Sequence, residues 1–232
     1  MTRPVALVTG ARGGIGRALV ERLTASGYDV VAHSRSALDD QTLAVRHLDG
    51  DLADPAVARA VASQAGAVDL LVNNAADQSV APLDDLSAAD WSAMLGATFL
   101  SAVNLASALR PTFAAGSCVV NVSSIEAQSG FPRHGHYAAA KAALESFTRT
   151  AALEWAPDGV RVNAVAPGLV DRPGLAQDWP EGWEWWIRTC PLGRAIQSAE
   201  VADAVVYLAT ASAVSGVVLP VDGGWSASAR LA

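Results

Sequence analysis

Short, uniformly apolar runs alternate with longer helix-forming stretches along the whole chain, and this alternation constrains the fold more than any other feature. A strand covered on both faces reads as a continuous apolar run, whereas a half-exposed strand alternates. Runs of the first kind fall at 5–9, 29–33, 44–48, 69–73, 117–123, 160–166 and 217–221. Helices are expected at about 15–26, after Asp54-Pro55, at about 89–109, through Tyr137 and Lys141 to about Trp155, and at 199–209. Pro55 suits the first turn of its helix, where a missing N–H costs nothing. Strands interleaved with helices imply an α/β chain with a doubly wound parallel sheet.

At 232 residues, 51% hydrophobic and 17% charged, the chain suits one domain over 1–232 with a sizeable core and is not a disordered polymer. Its net charge of −7 comes with no basic run, so no nucleic-acid partner is expected. Arg, Asp, Gly or Pro interrupts every apolar stretch short of membrane-spanning length, so no membrane partner is expected either. The opening MTRPVALVTG has no apolar core with a small-residue cleavage site and does not read as a secretory leader. Cys118 and Cys190 have neither disulfide-framework nor metal spacing. The expectation is a reducing cytoplasm and no metal.

Of the 16 basic residues, 15 are Arg and only Lys141 is Lys. A coding bias that replaces Lys wherever either residue serves makes the exception informative. A position that keeps Lys needs a compact ammonium rather than a planar fork.

The run TGARGGIG at 9–16 joins the first strand to the first helix. Gly10, Gly13, Gly14 and Gly16 allow a tight turn and close approach to a pyrophosphate, with Arg12 and Ile15 between them, and the helix N-terminus favours the phosphates. The bland alternative is a plain tight turn. An acidic residue after the second strand would bind the ribose hydroxyls of NAD. Here the strand ends His33-Ser34-Arg35-Ser36, without a carboxylate. Arg35, with Arg12 in reach, would pair with a 2′-phosphate, so NADP(H) is favoured over a merely solvated Arg35. Asp51, after the third strand, either accepts from the adenine amino group or caps its loop.

Tyr137 and Lys141 are four residues apart on one expected helix and share a face. A nearby ammonium favours tyrosinate and lowers the phenol's pKa. Such a tyrosine exchanges a proton with an alkoxide near neutral pH. Ser124, at the C-terminal edge of the fifth strand, would face the ligand crevice and hydrogen-bond a carbonyl.

In order along nearly the whole chain, TGARGGIG at 9–16, DL at 51–52, NNAA at 73–76, NVSS at 121–124, YAAAK at 137–141, NAVAPG at 163–168 and SGVVLPVDGG at 215–224 resemble the short-chain dehydrogenase/reductase family. The resemblance implies a Rossmann-like sheet of seven strands and a nicotinamide cofactor. It makes Tyr137 the acid/base, Lys141 the holder of the nicotinamide ribose and Ser124 the residue that orients substrate. It places Asn74 and Ala75, with Leu52, along the cofactor cleft, and Pro167, Gly168 and Val170 beside the nicotinamide. Three positions depart from the pattern. Thr98 stands where the family has a proton-relay asparagine, Ala76 replaces a glycine and is tolerable if its φ is negative, and Arg172 replaces a threonine.

Four of the seven tryptophans fall at 179–186, inside the segment at about 169–195 that the resemblance makes a substrate lid. If helical, Trp179, Trp183 and Trp186 share a face and Trp185 points elsewhere. They form either a wall for a flat or apolar substrate or packing under the lid. Glu126, Gln128, His134 and His136 lie on the loop that borders the substrate, and Glu126 and His134 are the substrate candidates. The expected activity is NADP(H)-dependent reduction of a ketone, or the reverse oxidation of a secondary alcohol, with an aromatic or polycyclic substrate. The alternatives are reduction of an imine or activated C=C bond, or a nucleotide-binding member that has lost catalysis. Small residues along 89–109 and after Tyr137 allow close helix packing. The resemblance implies that these helices pair between subunits and that the C-terminal segment, with Trp225 as an apolar anchor, makes a second contact, giving a homotetramer or homodimer.

Overall fold

The computed structural model describes residues 2–36 and 45–228. Seven parallel strands form one sheet in the order β3-β2-β1-β4-β5-β6-β7. They are β1 (Val5–Thr9), β2 (Asp29–Ser34), β3 (Arg46–Asp49), β4 (Leu70–Asn73), β5 (Cys118–Val122), β6 (Arg161–Pro167) and β7 (Val218–Val221). The third strand starts later than the sequence suggests, and Ala44 lies outside the described residues.

Both sheet faces are covered, which is why the strands are apolar throughout. Ala6, Val8, Val72 and Val120 pack on one side with Leu19 and Leu23 of α1 (Gly14–Ala25) and Val201 and Val205 of the helix Ser198–Thr210. Leu7, Leu71, Val119 and Val162 pack on the other side. Their partners there are Val61 of α2 (Pro55–Ala65), Leu105 and Leu109, and Ala151. Each fully buried Leu or Val contributes roughly 1.5–3 kcal/mol. Asp54 caps α2, its side chain accepting from Ala56 N at 2.7 Å, with Pro55 in the first turn.

The expected helix at 89–109 is two helices, α3 (Ala88–Leu95) and α4 (Ser101–Leu109), joined by a π turn over Gly96–Leu100. The whole stretch Ala88–Thr112 is 25 residues long and apolar enough to cross a membrane by length and composition. That corrects the expectation that every apolar stretch is too short, because Gly96 does not end the helix. Met94 of this stretch packs on Tyr137 and Ala140 of α5 (Gly135–Trp155), and Leu105 packs in the core.

Two helices absent from the expected set, α6 (Leu175–Asp178) and α7 (Pro180–Thr189), follow β6 and precede α8 (Ser198–Thr210). The strand order turns back on itself between β1 and β4. At such a switch point the loops leave the C-terminal strand ends in opposite directions and open a crevice.

Candidate active site

A cleft of about 1630 Å³ opens over the C-terminal ends of the strands. Of the residues assigned a catalytic or binding role from sequence, all but Thr98 and Trp183 line it.

The glycine turn is shaped from inside. A Cβ on Gly16 would sit 2.2 Å from Gly10 O, and one on Gly10, which has φ +67°, would sit 2.8 Å from Ala75 Cα. A Cβ on Gly13 would meet nothing closer than 3.7 Å, so the outer side is open. No side chain caps α1 and no acidic residue lies in its first turn, which leaves its N-terminus suited to phosphates. Thr9 and Asn74 hold the turn: Thr9 Oγ1 accepts from Asn74 N at 2.9 Å and Ala75 N at 3.0 Å, and Asn74 Nδ2 donates to Thr9 O at 2.9 Å. These residues fit a dinucleotide.

At the tip of β2, Ser34 Oγ donates to Ser36 O at 2.6 Å and lies 2.9 Å from His47 Nε2, while Arg12 donates to Ser36 Oγ at 2.6 Å. Arg35 is exposed in the cleft wall. Asp51 lines the cleft and caps its loop, accepting from Ala53 N at 3.0 Å. Leu52 is buried and its carbonyl accepts from Asn104 at 3.0 Å. Ala76 avoids positive φ, as its replacement of glycine requires, since Arg133 is the only described non-glycine residue with positive φ.

Ser124, Tyr137 and Lys141 meet where β5 faces α5. Lys141 Nζ donates to Val122 O at 2.6 Å and lies 5.6 Å from the Tyr137 ring centroid, and Ser124, whose Oγ accepts from Glu126 N at 3.2 Å, lines the cleft with both. Burial pushes Lys141 down to about 8, opposed by Glu126. Burial, then Glu126, raises Tyr137 well above its ordinary value, and the nearby Ser124 hydroxyl only partly offsets this. The sequence expectation of a lowered tyrosine pKa is thus corrected, because desolvation outweighs the ammonium in the protein alone.

Thr98 is fully buried and does not line the cleft. Its hydroxyl accepts from Asp77 N at 3.1 Å and donates to Met94 Sδ at 3.4 Å. The structure therefore does not bring Thr98 together with the other three. Arg172 pairs with Asp178 at 2.6 Å within the segment 169–195.

On the substrate side, Glu126 Oε2 and His134 Nδ1 are 2.7 Å apart beside Tyr137. Gln128 turns away to Glu145, and His136 is buried against Trp91. The tryptophan face expected from helical spacing is corrected. Trp179 precedes α7 rather than lying on it, and Trp183 packs on the core away from the cleft. Trp186 is 2% exposed, donates from Nε1 to Arg194 O at 3.0 Å and stacks on Trp225. Trp185, Phe131 and Trp225 were not among the expected substrate residues, yet they line the cleft as one aromatic cluster. No sequence period links residues 131, 185 and 225, so only tertiary structure joins them. Trp225, the apolar anchor suggested for a subunit contact, is 7% exposed and packs into this cluster.

A parallel sheet with a glycine turn at its switch point and a Ser–Tyr–Lys group at its edge defines an oxidoreductase that acts on alcohol or ketone groups with a nicotinamide cofactor. The family model described as enoyl-(acyl carrier protein) reductase matches residues 10–226. The chain is 39% identical to cis-4-hydroxycyclohexanecarboxylate dehydrogenase of Sinomonas cyclohexanicum, with 96% of each covered. It is 35% identical to L-xylulose reductase of Bos taurus, again with 96% of each covered. The structure of a gluconate 5-dehydrogenase from Burkholderia cenocepacia J2315, in complex with NADP and tartrate, matches with TM-score 0.88 and 28% identity over 99% of this chain and 97% of that one. The chain belongs to the short-chain dehydrogenase/reductase family.

Proposed function

We propose that the protein is an NADP(H)-dependent reductase of ketones that also runs in reverse as a secondary-alcohol dehydrogenase. The observation that carries this reading is the meeting of Ser124, Tyr137 and Lys141 in one cleft, with the Lys141 ammonium 5.6 Å from the Tyr137 ring centroid. The nicotinamide supplies or accepts the hydride when bound. Ser124 Oγ orients the carbonyl oxygen, Tyr137 gives that oxygen its proton, and Lys141 favours the tyrosinate left behind and holds the nicotinamide ribose. Gly10 to Gly16 and the N-terminus of α1 hold the pyrophosphate, Asn74, Ala75, Pro167, Gly168 and Val170 line the nicotinamide end, and Asp51 the adenine end.

The preference for NADP(H) is supported by a β2 tip that offers Ser34, Arg35 and Arg12 and no carboxylate. For substrate we propose a ring-bearing ketone, laid against Trp179, Trp185 and Phe131 and hydrogen-bonded by Glu126 and His134. The name of the 39%-identical relative, which oxidises a cyclic secondary alcohol, agrees with that choice. The segment at about 169–195 is the substrate lid of a single-domain chain. Two buried free thiols suit a reducing cytoplasm. The assembly proposed is a homotetramer, which light scattering at micromolar concentration tests.

A second reading, reduction of an activated C=C bond, is favoured by the description of the matching family model. Following NADPH oxidation with a panel of cyclic ketones, imines and enoyl thioesters, with Tyr137→Phe as control, separates the readings. Turnover of ketones alone supports the first. Turnover of enoyl thioesters alone supports the second. NADPH binding with no turnover of any substrate makes the chain a nucleotide-binding member without catalysis.

A further inference from the structure

The end of β5 is fastened to α5 residue by residue. Asn121 Nδ2 donates to Thr148 Oγ1 at 2.8 Å, Val122 O accepts from Lys141 Nζ at 2.6 Å, Ser123 Oγ donates to Glu145 Oε1 at 2.9 Å, and Ser124 shares the cleft with Tyr137. Three of these contacts belong to polar side chains already discussed or to the core. Glu145 has no part in the chemistry above, yet it is only 2% exposed. Burying a carboxylate is costly unless its oxygens are satisfied. The cation near it, Arg149, stands 3.8 Å away on an exposed side chain.

The second oxygen of Glu145 accepts from Gln128 Nε2 at 3.0 Å. Gln128 directly follows the short 3₁₀ turn Ile125–Ala127, and Ser123 precedes Ser124 at its start. One buried carboxylate therefore grips both ends of the segment 123–128, which carries Ser124 and Glu126. Apart from it, that segment is held by Ser123 N on Val165 O, by turn bonds within it, by Glu126 on His134 Nδ1 at 2.7 Å and by the buried Ile125, none of which ties its two ends together.

We propose that Glu145 is a positioning residue, a two-point clamp whose hydrogen bonds to Ser123 and Gln128 hold Ser124 in register with Tyr137. This rests on the reading of Ser124 and Tyr137 as the reacting pair. A misplacement of about 1 Å at a reacting group costs on the order of 100-fold in rate. The clamp acts on turnover and leaves the glycine turn untouched.

The test uses three variants of the full-length protein. Glu145→Met keeps the length and removes both acceptors. Glu145→Gln keeps both bonds, because the Ser123 hydroxyl can rotate to accept from the new amide while the amide oxygen accepts from Gln128. Gln128→Met releases one end only. The expected result is a kcat loss of roughly 30–100-fold in Glu145→Met, a smaller loss in Gln128→Met, and near wild-type turnover in Glu145→Gln, with the NADPH dissociation constant unchanged in all three. In the Glu145→Met background, adding Gln128→Met should cost nothing more, as for two members of one unit. Wild-type kcat in Glu145→Met, equal losses in Met and Gln variants, or fully additive losses would each overturn the clamp. Should Glu145→Met not fold, the Gln128→Met and Glu145→Gln pair decides alone. If the wild-type protein reduces none of the carbonyls, the functional reading fails separately. The clamp is then judged by crystal structures, where an unmoved segment 123–128 in Glu145→Met overturns it.

Discussion

Gly182 lies directly beneath the indole of Trp179: a Cβ built on Gly182 would sit 1.9 Å from the Trp179 ring. The absence of a side chain one turn into α7 is therefore what lets Trp179 fold back over its own helix and face the cleft. Gly182→Ala should expel the ring. The expected outcome is a rise of about tenfold in KM for a ring-bearing ketone, corresponding to about 1.4 kcal/mol of lost contact, with no change in NADPH affinity. Steady-state kinetics with cyclic and short acyclic ketones checks this, since the acyclic ones have no ring to lose.

Thr98 makes a different kind of prediction. Its hydroxyl is committed to Asp77 N and Met94 Sδ, inside the π turn that links α3 to α4. Thr98→Val should keep the shape and leave the Asp77 amide without that acceptor, at a cost of roughly 1–3 kcal/mol in stability. Turnover should stay within about threefold of wild type, since no proton-transfer role is lost. Thermal unfolding and kcat, measured side by side, distinguish this from a relay role, in which kcat falls and stability hardly moves.

The contrast between these residues and the catalytic group marks what was legible in the sequence. Local chemistry was readable: the glycine turn, the carboxylate-free end of β2, and Tyr137 and Lys141 one turn apart all depend on neighbours within a few positions. The sheet was readable too, because strands covered on both faces have no polar alternation. The burial that raises Tyr137 was not, since desolvation is set by elements distant in sequence. The tryptophans failed for a related reason. Helical spacing predicts a shared face only if all three residues are on the helix, and Trp179 is not. Nothing in the residues around Glu145 marks it, because its partners Ser123 and Gln128 come from the segment that follows β5.

Lys141 is held down to about 8 by burial, so its ammonium persists below that pH and is lost above it. In the role proposed for it, a charged Lys141 favours tyrosinate and would donate to a ribose hydroxyl. NADPH affinity of the free protein should therefore weaken as pH rises through about 8, and Lys141→Met should abolish that step. Tyr137→Phe should leave NADPH binding nearly intact and lower kcat by about 10²–10⁴-fold, the usual contribution of a general acid. Fluorescence titration of NADPH across pH checks the first, and single-substrate kinetics the second.

Arg35 stands in the cleft wall after β2, whose end His33-Ser34-Arg35-Ser36 carries no carboxylate and where Arg12 donates to Ser36 Oγ. Arg35→Ala should raise the dissociation constant for NADPH by about tenfold or more, in line with a charge-assisted bond of roughly 1.5–3 kcal/mol. NADH, which has no 2′-phosphate, should be nearly unaffected. A wild-type protein that binds NADH more tightly than NADPH under matched conditions would sink this assignment.

His33 sits beneath the same site, 2% exposed, with Nε2 3.0 Å from Gly50 O and Nδ1 without a hydrogen-bond partner. A carbonyl can only accept, so Nε2 carries the proton and the ring is neutral. Burial lowers its pKa from 6.5 to about 4. Between those values the unfolded chain takes up a proton that the folded chain refuses. The stability tied to His33 is therefore fully present above pH 6.5 and is lost as pH falls toward 4, by up to about 3 kcal/mol. His33→Gln retains an N–H for Gly50 O and cannot titrate. Urea unfolding at pH 7 and pH 5 should show a smaller drop in stability for the variant than for the wild type. The neighbouring His47, whose pKa is also lowered by burial, remains in both proteins and contributes the same residual slope. Equal drops in the two proteins would mean that His33 is charged in the folded state, and that the β2 tip presents a third cation beside Arg12 and Arg35.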